Sequence, residues 1–296
     1  MKPHIEDLAG WRLRTGTVPL PKSGGLPLLM GIVNVTPDSF SDGGRYDHIE
    51  AAVTHGLSLI DAGADILDIG GESTRPFSEP VDSEEEWRRV GEVVRILSHD
   101  SNCPISIDTS KASVAENAIS NGAEIINDVT GLQGDPAMIK IATETGAGIC
   151  AMHMQGTPET MQLEPEYENV VEEIYSYLEN RRSELVTAGV CPQSICLDPG
   201  IGFGKTHSHN IELMQKASRF LDLGCPILIG HSRKGFLGKL VKHTLNRDGS
   251  IHERDIATAA AACSLADQGI QILRVHDVAT VRLALTTYTS NKQKVS

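Results

Sequence analysis

Apolar positions along the chain gather in eight short runs, and each run stops on or beside a polar side chain. Leu28–Val33 ends at Asn34, Asp65–Gly70 leads into Gly71 and Glu72, Pro104–Ile107 ends at Asp108, and Glu124–Ile126 ends at Asn127. Gly148–Met152 ends at His153 and Ser194–Leu197 at Asp198. Pro226–Gly230 runs into His231-Ser232-Arg233-Lys234, and Ile270–Leu273 ends on Arg274 and His276. Most runs are followed by a stretch of helical period. Eight β-then-α units at these intervals predict a (β/α)8 TIM barrel, an α/β fold in which the C-terminal ends of the strands share one face and carry the active site. The polar terminators are therefore a first draft of that site.

Residues 28–290 hold the barrel pattern as a single domain. Residues 1–27 lack a period and are broken by Pro19, Pro21, Gly24, Gly25 and Pro27. They predict an irregular or hairpin-like N-terminal extension that caps the lower face. Helices are expected over 49–62, 111–121 and 167–188. Ser83 and Glu86 suggest a capping box, Ser110 a cap for the third helix, and Asp135-Pro136 a start for the fourth. Residues 235–255 read as a long loop or short helix. The polar loop at 36–46 has the composition either of a loop that closes over substrate or of an ordinary solvated loop; a second polar loop follows at 72–81 and an insertion at 155–166.

Composition narrows the class. Apolar residues make up 40% of 296, aromatics only 4%, and there are 28 glycines, which suits an aliphatic parallel sheet with tight turns. A net charge of −13 without Lys/Arg clusters argues against a nucleic-acid partner. The most apolar helical stretch, 257–266, lies between Asp255 and Asp267 and is too short to span a bilayer. No signal-peptide pattern opens the chain, so the expected compartment is the cytoplasm. The six cysteines form no CxxC pair and read as buried free thiols.

Several stretches carry chemistry. GIVNVTPDSFSDGG (31–44) ends a buried strand and opens into small polar residues. DIGGESTRP (68–76) offers Ser73, Thr74 and Arg75, which suit an anion, although taken alone Arg75 reads rather as a surface arginine paired with a local carboxylate. Asp108, Asn127 and Asp198 each end a strand. Converging on one face, they suit either the donor edge of an amino-pyrimidinone heterocycle or a divalent metal. PGIGFGKT (199–206) fails the P-loop and dinucleotide patterns, because Pro199 and Lys205 stand where glycines are required. It reads as a tight turn presenting Phe203. Arg75, Arg233, Lys234 and Arg274 at one mouth would make a local positive focus in an acidic protein. His153, between Met152 and Met154, reads as a hydrogen-bonded core histidine, and His207-Ser208-His209 as a surface loop.

These motifs, with SIDTSK, IINDVTG, MHMQGTP, LDPGIGFGK, HSRKGFLG and RVHDV, resemble the dihydropteroate synthase family over about residues 28–285. The resemblance implies condensation of 6-hydroxymethyl-7,8-dihydropterin pyrophosphate with para-aminobenzoate, the step inhibited by sulfonamides. It implies pterin pyrophosphate contacts from Thr74, Asp108, Asn127, Met152, Asp198, Lys234, Arg274 and His276. It further implies an aminobenzoate pocket from Phe40, Pro76, Phe203 and Gly235, a Mg2+ ligand in Asn34, and catalytic roles for Asp38, Arg75 and Lys234. A homodimer and small-molecule partners come with it; a nucleic acid or membrane partner does not. One departure stands out: many relatives carry Ser where this chain has Gly235. Three rivals share the barrel. A pterin-site methyltransferase would need a corrinoid partner and lacks the NVTPDSFSDGG and STRP loops. A zinc hydrolase places His-x-His where this chain has Asn34-Val35-Thr36. The third is a non-catalytic pterin-binding paralogue.

Overall fold

The computed structural model describes residues 10–22, 24–36, 45–73, 79–157 and 160–292. Eight parallel strands form the barrel: β3 (Leu28–Asn34), β4 (Ile66–Gly70), β5 (Ile105–Asp108), β6 (Ile125–Asp128), β7 (Gly148–Met152), β8 (Ile195–Asp198), β9 (Leu228–Ile229) and β10 (Ile272–Val275). They pair in the order β8-β7-β6-β5-β4-β3-β10-β9. A parallel bridge between Leu197 and Ile227 joins β8 to the start of β9 and closes the ring. The helices between them are α1 (Arg45–Asp61), α2 (Ser83–Asp100), α3 (Ala112–Ser120), α4 (Met138–Thr145), α5 (Val170–Thr187), α6 (His207–Gln215), α7 (Gly235–Leu245), α8 (Ile251–Asp267) and α9 (Val278–Lys292).

Side chains alternate along a strand, and that period of two sorts the barrel interior into layers. Met30, Ile66, Ile125, Cys150, Cys196, Leu228 and Ile272 form one apolar cluster inside the lower barrel. Two residues further along the same strands stand Ile32, Asp68, Asn127, Met152, Asp198, Gly230 and Arg274. β4, β6, β8 and β10 thus cross from a dry layer to a polar residue in a single step of the repeat, while Ile32, Met152 and Gly230 keep the rest of that upper layer apolar. The outward-facing strand residues, such as Leu29, Leu67, Ile107, Ile126 and Leu273, pack with the helices in the main core.

The lower end is closed by β1 (Gly10–Arg12) and β2 (Thr17–Pro19), an antiparallel hairpin with Trp11 opposite Val18. Trp11 and Leu13 join the lower apolar cluster. The Trp11 indole donates to the Ser194 carbonyl at 2.9 Å, satisfying its one polar atom while the ring is fully buried.

Helix boundaries depart from the local signals in instructive places. The N-cap of α2 is Asp82, which accepts from Glu85 N, not Ser83. Glu86 is drawn inward and accepts from Lys111 Nζ at 2.6 Å. Ser110 does not cap α3. The Ala112 N–H donates instead to Asp135 from the following loop, and Lys111 is the N-cap position. Asp135-Pro136 forms a turn before α4, which starts at Met138. α1 begins at Arg45, four residues before the expected start, and α5 at Val170, where Asn169 supplies the cap. Of the two readings of 235–255 the helical one holds: the stretch contains α7 and the first turn of α8, the latter opened by a Ser250–Glu253 capping box. All six cysteines are free thiols, but only Cys150, Cys196 and Cys225 are buried, while Cys103, Cys191 and Cys263 are half-buried.

Candidate active site

The polar layer forms a connected network at the upper end of the barrel. Arg274, near the end of β10, donates from Nε to Asp68 Oδ2 at 2.5 Å and from Nη2 to Asp108 Oδ2 at 2.7 Å. Asn127 donates from Nδ2 to the same Asp68 oxygen at 3.0 Å. Asp68 Oδ1 is buried with no hydrogen-bond partner among the described residues. Asp198 accepts the Gly200 N–H at 2.7 Å through Oδ1, and its Oδ2 lies beside Gly230, which also borders Arg274. Asp108, Asn127, Asp198 and Arg274 therefore converge as the strand pattern predicts. Asp68 was not among the expected residues. Its signal is a carboxylate in an otherwise aliphatic strand, two residues after Ile66, where the alternation points it into the barrel.

Two glycine-rich turns complete the wall. The turn after β8 needs glycine at 200, where φ is +71° and a Cβ would lie 1.9 Å from the His153 carbonyl oxygen. It needs glycine again at 202, where φ is +86° and a Cβ would meet the Lys234 side chain at 2.9 Å. This close approach brings the Lys234 ammonium to 3.9 Å from the Phe203 ring centroid, a cation–π contact. Phe203 packs with Met152 and Met161 in a small apolar cluster. After β9, Arg233 takes φ +56°, a left-handed conformation costly for a residue with a Cβ. Asp255 on α8 holds it through two bonds, Nε–Oδ1 at 2.6 Å and Nη2–Oδ2 at 2.9 Å.

That bridge corrects the expected positive focus. Arg233 is tied to α8 rather than offered to the cavity, and the charge of Arg274 is matched by two carboxylates. Lys234 stands just before α7, and Gly235 is that helix's first residue. A Cβ at Gly235 would touch nothing within 4 Å, so no neighbour excludes a serine side chain there. His276 places Nδ1 3.0 Å from Ser232 Oγ. Asn34 is half-buried at the end of β3. Asp38, Phe40, Thr74, Arg75 and Pro76 lie outside the described residues.

Burial shifts the titration of these groups. It pushes Asp108 up to about 7, against the pull of Arg274 and with the repulsion of Asp68. Asp198 rises to about 6 by burial, moderated by the Gly200 N–H and by Lys234, Lys205 and Arg274. Lys234 falls to about 8 through burial and the neighbouring Arg274 charge. Arg274 is moved the other way: burial opposes its charge, but Asp68 and Asp108 outweigh burial and keep it protonated. Carboxylates and a lysine poised near neutrality in one cluster are a mark of a functional site. Among the described residues no group of three or more His, Cys, Asp or Glu side chains is placed to hold a metal.

The chain matches the family model described as Pterin binding enzyme over residues 30–276. It is 45% identical over 267 residues to a dihydropteroate synthase of Neisseria meningitidis serogroup B, covering 88% of this chain and 92% of that one. Among solved structures it is similar to Xanthomonas albilineans dihydropteroate synthase with 4-aminobenzoic acid, at TM-score 0.83 and 41% identity, covering 90% of this chain and 94% of that one. The same enzyme in complex with 7,8-dihydropteroate matches at TM-score 0.80 and 39% identity, with the same shares covered.

Proposed function

Because the chain belongs to the dihydropteroate synthase family, transferases of folate synthesis, we propose that its upper cavity binds 6-hydroxymethyl-7,8-dihydropterin pyrophosphate and joins it to para-aminobenzoate. The observation that carries this reading is the polar cluster in which Asp108, Asn127, Asp198 and Arg274 meet with Lys234 as a neighbouring charge. Asp198 and Asp108 accept the N–H groups of the pterin's amino-pyrimidinone edge, and Asn127 both donates and accepts there. Lys234 bonds the ring oxygen and nitrogen. Arg274 stacks on the ring face once pterin takes over its contact with Asp108, and Met152 makes the floor. The ligands of the two Xanthomonas structures, an aminobenzoate and a dihydropteroate, are the second substrate and the product of this reaction.

The amine of para-aminobenzoate is a neutral nucleophile at pH 7, so the protein need not supply one. In our reading the bond from the pterin methylene carbon to the pyrophosphate oxygen breaks first, and the positive charge spreads into the pterin ring. Arg75, Thr74 and His276 receive the charge of the departing pyrophosphate. Asp38 stabilises the cation while the loops exclude water. The amine then forms the carbon–nitrogen bond and loses its proton, releasing dihydropteroate. Phe40, Pro76, Phe203 and the start of α7 at Gly235 wall the aminobenzoate.

Asn34 is the proposed Mg2+ ligand. A lone amide oxygen fits this ion, which keeps several waters and takes much of its remaining coordination from substrate phosphates. When bound, the ion neutralises charge on the leaving group. We place the enzyme in the cytoplasm, where its free thiols are stable; no described helix is long and apolar enough to cross a membrane. We also propose a homodimer, for which Leu240 and Leu245 of α7 and Ile251 and Ile256 of α8 provide exposed apolar surface. A coupled pyrophosphate-release assay with both substrates, with and without Mg2+, tests the reaction. Release that requires only the pterin substrate, or none at all, refutes it.

A further inference from the structure

Lys205 closes the glycine-rich turn after β8 and is almost completely buried. Its ammonium donates to the Phe203 carbonyl at 2.8 Å, lies 3.0 Å from His153 Nδ1 and reaches the His153 carbonyl at 3.4 Å. His153 is itself buried and rests edge-on against the Tyr177 ring, with centroids 4.7 Å apart. Burial and the Lys205 charge push the imidazole down to about 3, so it is neutral and Nδ1 accepts. All three contacts of the ammonium are thus to neutral acceptors. No described carboxylate lies within ion-pair distance of it.

A buried ammonium without a contact ion pair is expensive. Packing alone would be served as well by methionine or glutamine. The charge has one field partner of opposite sign, Asp198, at the other end of the same turn. The dependence is mutual. Burial drives Lys205 down to about 7 against the support of Asp198, with Lys234 adding repulsion. Asp198 in turn faces Lys205, Lys234 and Arg274, together with the Gly200 N–H. Arg274 is largely committed to Asp68 and Asp108, and Lys234 sits over Phe203 and serves substrate. Lys205 is the cation of the three that touches neither an acid nor the cavity.

We propose that Lys205 is a positioning residue for the condensation: its buried charge keeps Asp198 in the anionic form that accepts the pterin edge, and its N–H groups fix the Phe203 carbonyl at the aminobenzoate wall. The proposal rests on the pterin reading of Asp198 given above. Loss of the charge favours protonation of Asp198, so the acid side of pterin binding moves to higher pH. The His153 carbonyl, which Lys205 reaches, faces Gly200, whose N–H bonds Asp198; across that short path the shift is at the low end for an opposite charge, about one pH unit, hence about tenfold in affinity below the transition.

The test is calorimetric titration of the whole enzyme with 6-hydroxymethyl-7,8-dihydropterin pyrophosphate across about pH 5 to 8.5, for wild type, Lys205→Met and Lys205→Gln. Wild-type affinity falls in two steps, as Asp108 is protonated through about 7 and Asp198 through about 6, and the Asp198 step is the one that reads Lys205. In both variants that step begins about one unit higher, and the affinities converge with wild type at the alkaline end. Lys205→Gln keeps a donor for Phe203 and so keeps the KM for para-aminobenzoate, whereas Lys205→Met raises it. An unchanged pH profile in folded variants, or an equal loss at every pH, overturns the proposal. If both variants fail to fold, carbon NMR of labelled lysine in Asp198→Asn reads the same coupling in reverse. Lys205 then titrates at lower pH than in wild type, and an unmoved titration refutes the pairing. A wild-type chain that does not bind the pterin overturns the reading of Asp198 itself, an outcome distinct from a failure of Lys205.

Discussion

The Arg233–Asp255 bridge yields a prediction whose sign reverses with genetic background. In the native turn two opposed terms meet at Arg233. The left-handed backbone costs about 1–2 kcal/mol for a residue with a Cβ. Against this, Asp255 supplies two charge-assisted bonds at 2.6 and 2.9 Å, and Thr258 Oγ1 accepts the Arg233 N–H at 3.2 Å. The carboxylate side chain is 6% exposed and the guanidinium 32%, so loss of Asp255 leaves a cation that water can still reach. We place the cost of Asp255→Ala at about 2–3 kcal/mol, toward the low end for a buried pair. In a chain of 296 residues that is a fall in Tm of roughly 3–5 °C. Arg233→Gly in the native background also destabilises, because it strands a buried carboxylate. In the Asp255→Ala background the same substitution removes backbone strain and an unpartnered cation. There it should restore about 1 kcal/mol. Thermal melts of the four proteins complete the cycle, and calorimetry should show pterin affinity weakened about tenfold in Asp255→Ala, since Lys234 follows the loosened residue. Equal destabilisation by Arg233→Gly in both backgrounds would refute the account.

Three further outcomes follow from the site. Asn34→Ala should abolish Mg2+-dependent turnover while pterin affinity measured without metal stays within about threefold, a loss smaller than one hydrogen bond; full turnover removes Asn34 from the metal's coordination. Asp198→Asn should weaken pterin binding about 10- to 150-fold at about pH 8, where the native acid is ionised, because one charge-assisted bond is lost; calorimetry showing unchanged affinity rejects the assignment. Gly235→Ser introduces a hydroxyl where nothing obstructs it and should lower the KM for para-aminobenzoate about fivefold, the equivalent of one hydrogen bond; a raised KM in steady-state kinetics argues that backbone N–H groups alone bind the carboxylate.

Much of the barrel was legible because its determinants are local. Each strand announces itself by an apolar run, and the alternation of side chains fixes which terminal residue faces inward. That is why Asp108, Asn127 and Asp198 could be grouped before any coordinates, while Arg274, read as part of a positive focus, joined them only through the family resemblance. Asp68 escaped because it sits inside a run rather than at its end, so it looked like a mid-strand polar residue without a task. The helix caps failed for a different reason. Asp135 caps α3 from across a loop, and Lys111 draws Glu86 away from a capping role. Such partners are chosen by tertiary proximity, which spacing in the chain does not encode. Arg233 misled for the same reason: its partner, Asp255, is 22 residues downstream, and a cation at a barrel mouth resembles a ligand until that partner is seen.

The hairpin below the barrel has an effect at a distance. Trp11 anchors to the carbonyl of Ser194, and four residues later that chain ends on Asp198. A wedge driven into the foot of this strand steadies its tip. Loosening the wedge, by trimming or heating the segment before residue 28, should blur the carboxylate at the far end before the barrel itself comes apart.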